Sequence, residues 1–301
     1  MHVSRQRAVL AMVLITLLWS TAGVVTRQLE AARGFEITFW RSLSLAIALP
    51  LLLAALRGPR AATRILTGAN RAVWMSGLCW SVMFTAFMLA LALTTVANVL
   101  VTMATGPLIT ALLARTVLRQ HLGRRTVIAG IAAGIGIGVM YGAELESASP
   151  RQWLGTGIAF LVPLAGAINW ILINHAKKRA LPVDFQPALL IGAWISAAAM
   201  APFAYPFGAS GHDIALLASL GVFQLAIPCL LVVRVAAHLS APEVSLLCLL
   251  EVLFGVAWVW LAADEAPEFH TVVGGSIVLS ALAASEWASL RRRTQLAGAS
   301  A

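Results

Sequence analysis

Long apolar runs, each closed by a cluster of charge or by Gly, Pro and Ser, follow one another along the whole chain. The runs are about 20 residues long, the length a helix needs to cross the hydrocarbon core of a bilayer. None alternates with period two, and unpaired backbone groups are costly in hydrocarbon, so each run is expected to be helical and a β-barrel is excluded. Ten helices are predicted, over residues 8–26, 36–56, 71–93, 95–117, 125–142, 152–175, 185–206, 213–233, 239–262 and 269–290, with short connections throughout. The expected fold class is all-α integral membrane. The first run follows Arg5 and Arg7 and has the outline of a signal peptide. No small-residue cleavage site follows it cleanly, so a retained first span is expected.

Composition agrees with this pattern. Of 301 residues, 60% are hydrophobic and 11% charged, with a mean hydropathy of +0.88. That leaves too few polar side chains to cover a water-soluble globule of this size. The net charge of +9 raises the question of a nucleic-acid partner, but the cations sit in short clusters between apolar runs rather than on one soluble face. They orient the chain instead, because Lys and Arg resist translocation. With the N-terminus inside, 17 of the 21 basic residues are cytoplasmic. Only Arg27, Arg33 and Arg151 are external, while Arg41 falls inside the second span. The external segments also hold Glu30, Glu36, Glu144, Glu146, Asp213, Asp264, Glu265 and Glu268. The expectation is a bacterial-type inner membrane protein with both termini cytoplasmic.

Sliding the chain on itself by 145 residues aligns Thr95–Gly130 with Ser240–Gly275, each window holding a long helix, a polar turn and a Gly-containing helix. Val99 meets Val244, Leu108 meets Leu253, and Thr126, Val127 and Gly130 meet Thr271, Val272 and Gly275. Five spans per half reverse the second half relative to the first, giving an inverted repeat whose halves rock about a central site. The halves are expected at residues 1–147 and 148–301, divided in the polar loop near Gly142–Pro150 and forming one transmembrane unit.

Within this frame few residues carry chemistry. Cys79, Cys229 and Cys248 lie inside apolar segments without metal or disulfide spacing, and no His pair has ligand spacing. No phosphate loop or nucleophile elbow is found, so neither an enzyme nor a cofactor is expected and energy comes from gradients. Thr94, Asn98, Thr102, Thr105 and Ile109 form a stripe on the fourth helix, read as facing a wet cavity or, alternatively, as bonding neighbouring helices. Glu243 and Ser245 occupy the related positions in the second half. Glu251 is the deepest acid, about twelve residues into the ninth span, where lipid solvates charge poorly. It is a candidate for proton coupling or for contact with a substrate amine, or else a neutral, backbone-bonded group. Arg41 and Glu286 are read as helix-end residues free to snorkel. Pro107, Pro163 and Pro228 are candidate points of helix bending or static kinks. Gly130, Gly134, Gly138 and Gly142 form a small-residue series expected to pack on the tenth helix, with contact in a dimer as the second reading.

Trp19-Ser20-Thr21 in the first helix, Phe39-Trp40-Arg41 in the second, Gly106-Pro107 in the fourth, then Leu250-Glu251, Asp264-Glu265 and Gly274-Gly275 resemble the drug/metabolite transporter superfamily in its EamA-type ten-helix form. That family commonly has a Gly-Glu pair after the fourth and ninth helices. Here Arg119-Gln120 and Asp264-Glu265 stand in those places, so only the second acid is kept. The resemblance implies export of small metabolites, often amino acids, along a path lined by helices one, three, four, six, eight and nine. Trp19, Trp80 and Trp170 are on those helices, with Phe84 one turn beyond Trp80. Such aromatic faces suit an apolar or aromatic zwitterion, and also a lipophilic cation. The candidate pathway is Trp19, Ser20, Trp80, Phe84, Asn98, Thr102, Asn169, Trp170, Gln224 and Glu243, with Glu251 for coupling. The expected activity is alternating-access export of neutral aromatic or hydrophobic amino acids by a monomer or weak homodimer. Its partners are small-molecule substrate and membrane lipid, without nucleic acid. Lipophilic-cation or drug efflux is the alternative, and a membrane-embedded enzyme or sensory scaffold a remote one.

Overall fold

Predominantly apolar runs leave the backbone to satisfy its own polar groups, and the computed structural model is helical wherever the apolar runs are described. It describes residues 4–26, 28–60, 70–94, 99, 102–117, 124–141, 149–181, 183–263, 269–270, 272–281 and 284, among which there is no strand. The helices are α1 (Arg5–Trp19), α2 (Ala22–Thr26), α3 (Phe35–Arg57), α4 (Arg71–Leu93), α5 (Gly106–Val117), α6 (Arg124–Tyr141), α7 (Pro150–Lys178), α8 (Gln186–Ala204) and α9 (Gly211–Ser219). A π-helical turn, Leu220–Ala226, joins α9 to α10 (Ile227–Val235), followed by α11 (Ala241–Cys248), α12 (Leu250–Ala263) and α13 (Val272–Ala281). Polar caps set several starts: Ser4 accepts from the Arg7 N–H, Asn70 from Val73, and Ser149, Ser210 and Ser240 close capping boxes with Gln152, Asp213 and Glu243.

Six stretches are long and apolar enough to cross a membrane: Arg5–Thr26, Phe35–Leu56, Arg71–Leu93, Pro150–Lys178, Gln186–Ala204 and Gly211–His238. This is a multi-pass membrane protein. Leu10, Leu14, Leu51, Leu112, Leu154 and Phe223 stand exposed on its outside, as lipid contact requires, and Trp74 and Trp153 are exposed near helix starts.

The fourth and ninth segments are not continuous. The fourth turns at Ala104–Thr105, where the Thr105 N–H reaches Thr102 O at 3.1 Å, before α5 resumes. The ninth turns at Leu249, whose N–H reaches Leu246 O at 3.1 Å. The two turns fall within one residue of the 145-residue internal match. Pro107 is therefore the second residue of α5, where its missing N–H costs nothing. Pro163, by contrast, lies inside the unbroken α7. Pro228 follows the π-helical turn, a wide turn of the kind that relieves the clash between a proline ring and the preceding carbonyls.

Close approaches fix the packing. A Cβ on Gly192 of α8 would lie 2.6 Å from Trp80 Cβ, and one on Gly77 of α4 would lie 2.6 Å from Ile191 Cγ2. Gly221, in the π-helical turn, brings that turn against α3, where an added Cβ would lie 3.0 Å from Arg41 O and 2.5 Å from Ser44 Cβ. The glycines of α6 depart from the expected series. Gly136, outside the series, packs on α13, where an added Cβ would lie 2.7 Å from Gly274 O; Gly130 meets Leu108 of α5, and Gly134 and Gly138 face open space. Successive glycines point around the helix at different neighbours, so one sequence-spaced stripe does not describe the contact. Gly142 lies outside the described residues.

Acidic side chains tie loops together at the end that the charge pattern assigns to the exterior. Asp213 accepts from the Glu30, Ala31 and Ala32 N–H groups at 2.8, 2.9 and 2.7 Å. Reciprocally, Glu36 accepts from the N–H groups of Gly208 and Ala209 at 3.0 and 2.9 Å and from the Trp40 indole at 3.2 Å. At the opposite end Arg5 donates to Glu243 at 2.9 Å, joining the start of α1 to the start of α11.

Candidate functional site

Where α1, α3, α4, α7, α10 and the two broken segments converge, they line a half-open cavity of about 140 Å³. A void of about 150 Å³ accommodates a benzene ring, so this one suits a single-ring solute. Its aromatic wall is Trp19, Trp80, Phe84, Phe87 and Trp170. The Trp80 and Phe84 rings are 5.4 Å apart, and Trp80 meets Trp170 edge-on at 5.8 Å. Pro163, Gly166 and Ala167 of α7 and Gly106 of α5 line it with small side chains, leaving room beside the rings. A Cβ on Gly106 would lie 3.2 Å from Ser245 Oγ, another lining atom.

Besides Ser245, four polar side chains line this apolar space. Arg41, 2% exposed, donates from Nη2 to Phe84 O at 3.2 Å and leaves Nε without a partner among the described residues. Trp80, 3% exposed, likewise has an unpaired Nε1. Gln224, 4% exposed and presented by the π-helical turn, donates to Trp19 O at 3.2 Å and keeps Oε1 unpaired. Glu251 lines the cavity from the first turn of α12, just past the Leu249 break rather than deep in a continuous helix, and no hydrogen bond or ion pair to it is found among the described residues.

The sequence candidates thus separate. Trp19, Trp80, Phe84, Trp170, Gln224, Glu251 and Pro163 share the cavity. The other described candidates are not among its lining residues. Asn169 is buried between α4 and α7, accepting from Ser76 Oγ at 2.5 Å. Ser20 donates to Leu17 O at 2.7 Å and accepts from the Trp258 indole at 2.9 Å, which ties α12 to α1. Glu243 caps α11 and pairs with Arg5. Thr102 is buried beside the turn before α5. Pro107 faces Gly130, and Pro228 is buried in α10. Asn98 lies outside the described residues, as do Arg119-Gln120 and Asp264-Glu265. Arg41 is the addition: a helix-end reading does not hold for a side chain buried in the cavity wall. Its signal in the sequence was being the one cation that fitted neither side of the charge pattern.

Residues 6–142 match the model of the EamA-like transporter family. The match supports a membrane transporter of small solutes. No curated protein matches the chain. A protein known from its crystal structure superposes with a TM-score of 0.78, covering 94% of this chain and 98% of its own at 18% sequence identity. That likeness is one of fold.

Proposed function

We propose that this chain is a secondary transporter of the inner membrane that exports neutral aromatic or hydrophobic amino acids. Ten spans in two inverted halves work by alternating access, with both termini cytoplasmic. The observation that carries the reading is the cavity: five aromatic rings beside a few unpaired polar groups, in space for one ring. Matched breaks in the fourth and ninth segments support the inverted repeat, because discontinuous helices around a midplane site are a recurrent transporter device. The basic residues between spans support the orientation.

The wall of rings takes the side chain of the solute, and the polar groups take its amino and carboxylate ends. Flux of labelled amino acids in proteoliposomes tests this. Saturable flux of aromatic or branched members, competed by one another, is expected; none for any of them refutes the substrate class. Efflux of lipophilic cations is the second reading, favoured by Glu251 among aromatic rings. Arg41 in the same wall weighs against it, since a bound cation leaves that guanidinium uncompensated.

A further inference from the structure

Arg41 and Glu251 line one cavity yet form no ion pair with each other. A cationic and an acidic side chain that face one apolar cavity without pairing leave room between them for a solute that completes both. The polar atoms around them sort by kind. The Arg41 guanidinium and the Trp80 indole N–H are donors, with Arg41 Nε and Trp80 Nε1 buried and unpaired; Gln224 Oε1, also buried and unpaired, and the Glu251 carboxylate, to which no hydrogen bond is found among the described residues, are acceptors. A lone amine satisfies only the acceptors, and a lone acid only the donors. A phosphate ester meets Glu251 with repulsion. A solute bearing a carboxylate and an ammonium on one carbon, with an apolar remainder, satisfies both sets.

We infer that Arg41, helped by the Trp80 indole N–H, holds the carboxylate of an α-amino acid, while Glu251, helped by Gln224 Oε1, holds its ammonium. The assignment rests on the amino-acid reading above and deepens it by naming the two groups that demand a zwitterion. Trp19, Phe84 and Trp170 then receive the side chain. Gly221 is the positioning residue, since its lack of a Cβ lets the turn carrying Gln224 lie against the backbone of Arg41.

Three probes test the assignment by calorimetric titration of the purified full-length protein: L-phenylalanine, phenethylamine, which lacks the carboxylate, and 3-phenylpropanoate, which lacks the amine. Wild-type protein is expected to prefer phenylalanine to each analogue by about tenfold or more, the value of one charge-assisted contact. Arg41→Gln is expected to abolish the preference over phenethylamine and keep that over 3-phenylpropanoate. Glu251→Gln does the reverse. These preferences are ratios within one sample, so a partly unfolded variant does not distort them. Arg41→Lys retains the preference over phenethylamine, reduced. Where that variant loses it as completely as Arg41→Gln does, Arg41 serves packing and the assignment falls. It also falls where both preferences survive in both glutamine variants, or where each variant loses the two together. Wild-type protein that transports phenylalanine alongside such results loses only the assignment of charges. Wild-type protein that binds phenethylamine but neither binds nor transports phenylalanine refutes the amino-acid reading itself.

Discussion

At the scale of single residues, burial decides which polar side chains are structural and which are spare. Asn169 was a pathway candidate by its place on the sixth span, but its carbonyl oxygen is taken by Ser76 between α4 and α7, and its unpaired amide nitrogen belongs to a residue outside the cavity lining. Ser76→Ala is expected to cost about 1–3 kcal/mol, measured by thermal unfolding in detergent, because it strands a buried acceptor. Adding Asn169→Leu to it recovers much of that loss, since removing both partners leaves nothing unsatisfied, and flux per folded protein stays unchanged. The opposite holds for Arg41, whose neighbours in sequence, Trp40 and Ser42, say nothing of its destination. A lone Arg six residues after the helix start reads as one able to reach the interface. The close approach of Gly221 and the capture of Nη2 by Phe84 O hold it inward instead, and both are contacts of high sequence separation. Aromatic residues were easier to read, because Trp19, Trp80 and Trp170 lie on the helices to which the family resemblance assigns the pathway, and all three line the cavity.

At the scale of elements, apolar runs and Ser or Asn caps made the helices legible, whereas their interruptions were not. A proline marks a break only when its ring has no room, and Pro163 sits in an unbroken α7 while the turn at Leu249 has no proline within five residues on either side. Small residues were legible as packing points but not as to their partners. Gly192 and Gly77 hold α8 against α4 at the level of Trp80. Gly192→Val is expected to cost about 1–3 kcal/mol through overpacking, read as a lower unfolding temperature. It also weakens binding of phenylalanine, because the first atom displaced is the Cβ of a cavity tryptophan. Retained affinity in a destabilised Gly192→Val protein shows instead that Trp80 is free to shift without consequence. Asp213 makes a comparable prediction for the loop between α2 and α3. Its carboxylate gathers three successive N–H groups, so Asp213→Ala is expected to speed hydrogen exchange at Glu30, Ala31 and Ala32 by about ten- to a hundredfold.

At the scale of the whole molecule, the proposed halves are joined at both ends. Glu36 and Asp213 each hold the other half's loop, and at the other end Arg5 holds Glu243. An alternating-access protein opens one end while the other stays shut, so weakening one set of contacts shifts the population toward opening at that end by the free energy removed. The protein carries its own reporters of this, because Cys229 and Cys248 line the cavity. With Cys79 replaced by alanine, a charged, membrane-impermeant thiosulfonate reagent reaches them only through an open end. Glu36→Gln with Asp213→Ala is expected to raise labelling of Cys248 by external reagent and lower labelling by internal reagent. Glu243→Gln does the converse, and bound phenylalanine protects in both cases. Labelling that rises from both sides in either variant means the contacts hold the bundle together without gating it, and the rocking of the halves is then refuted. Labelling that rises from the side opposite to the weakened end reverses the orientation read from the basic residues, leaving the two-ended mechanism intact.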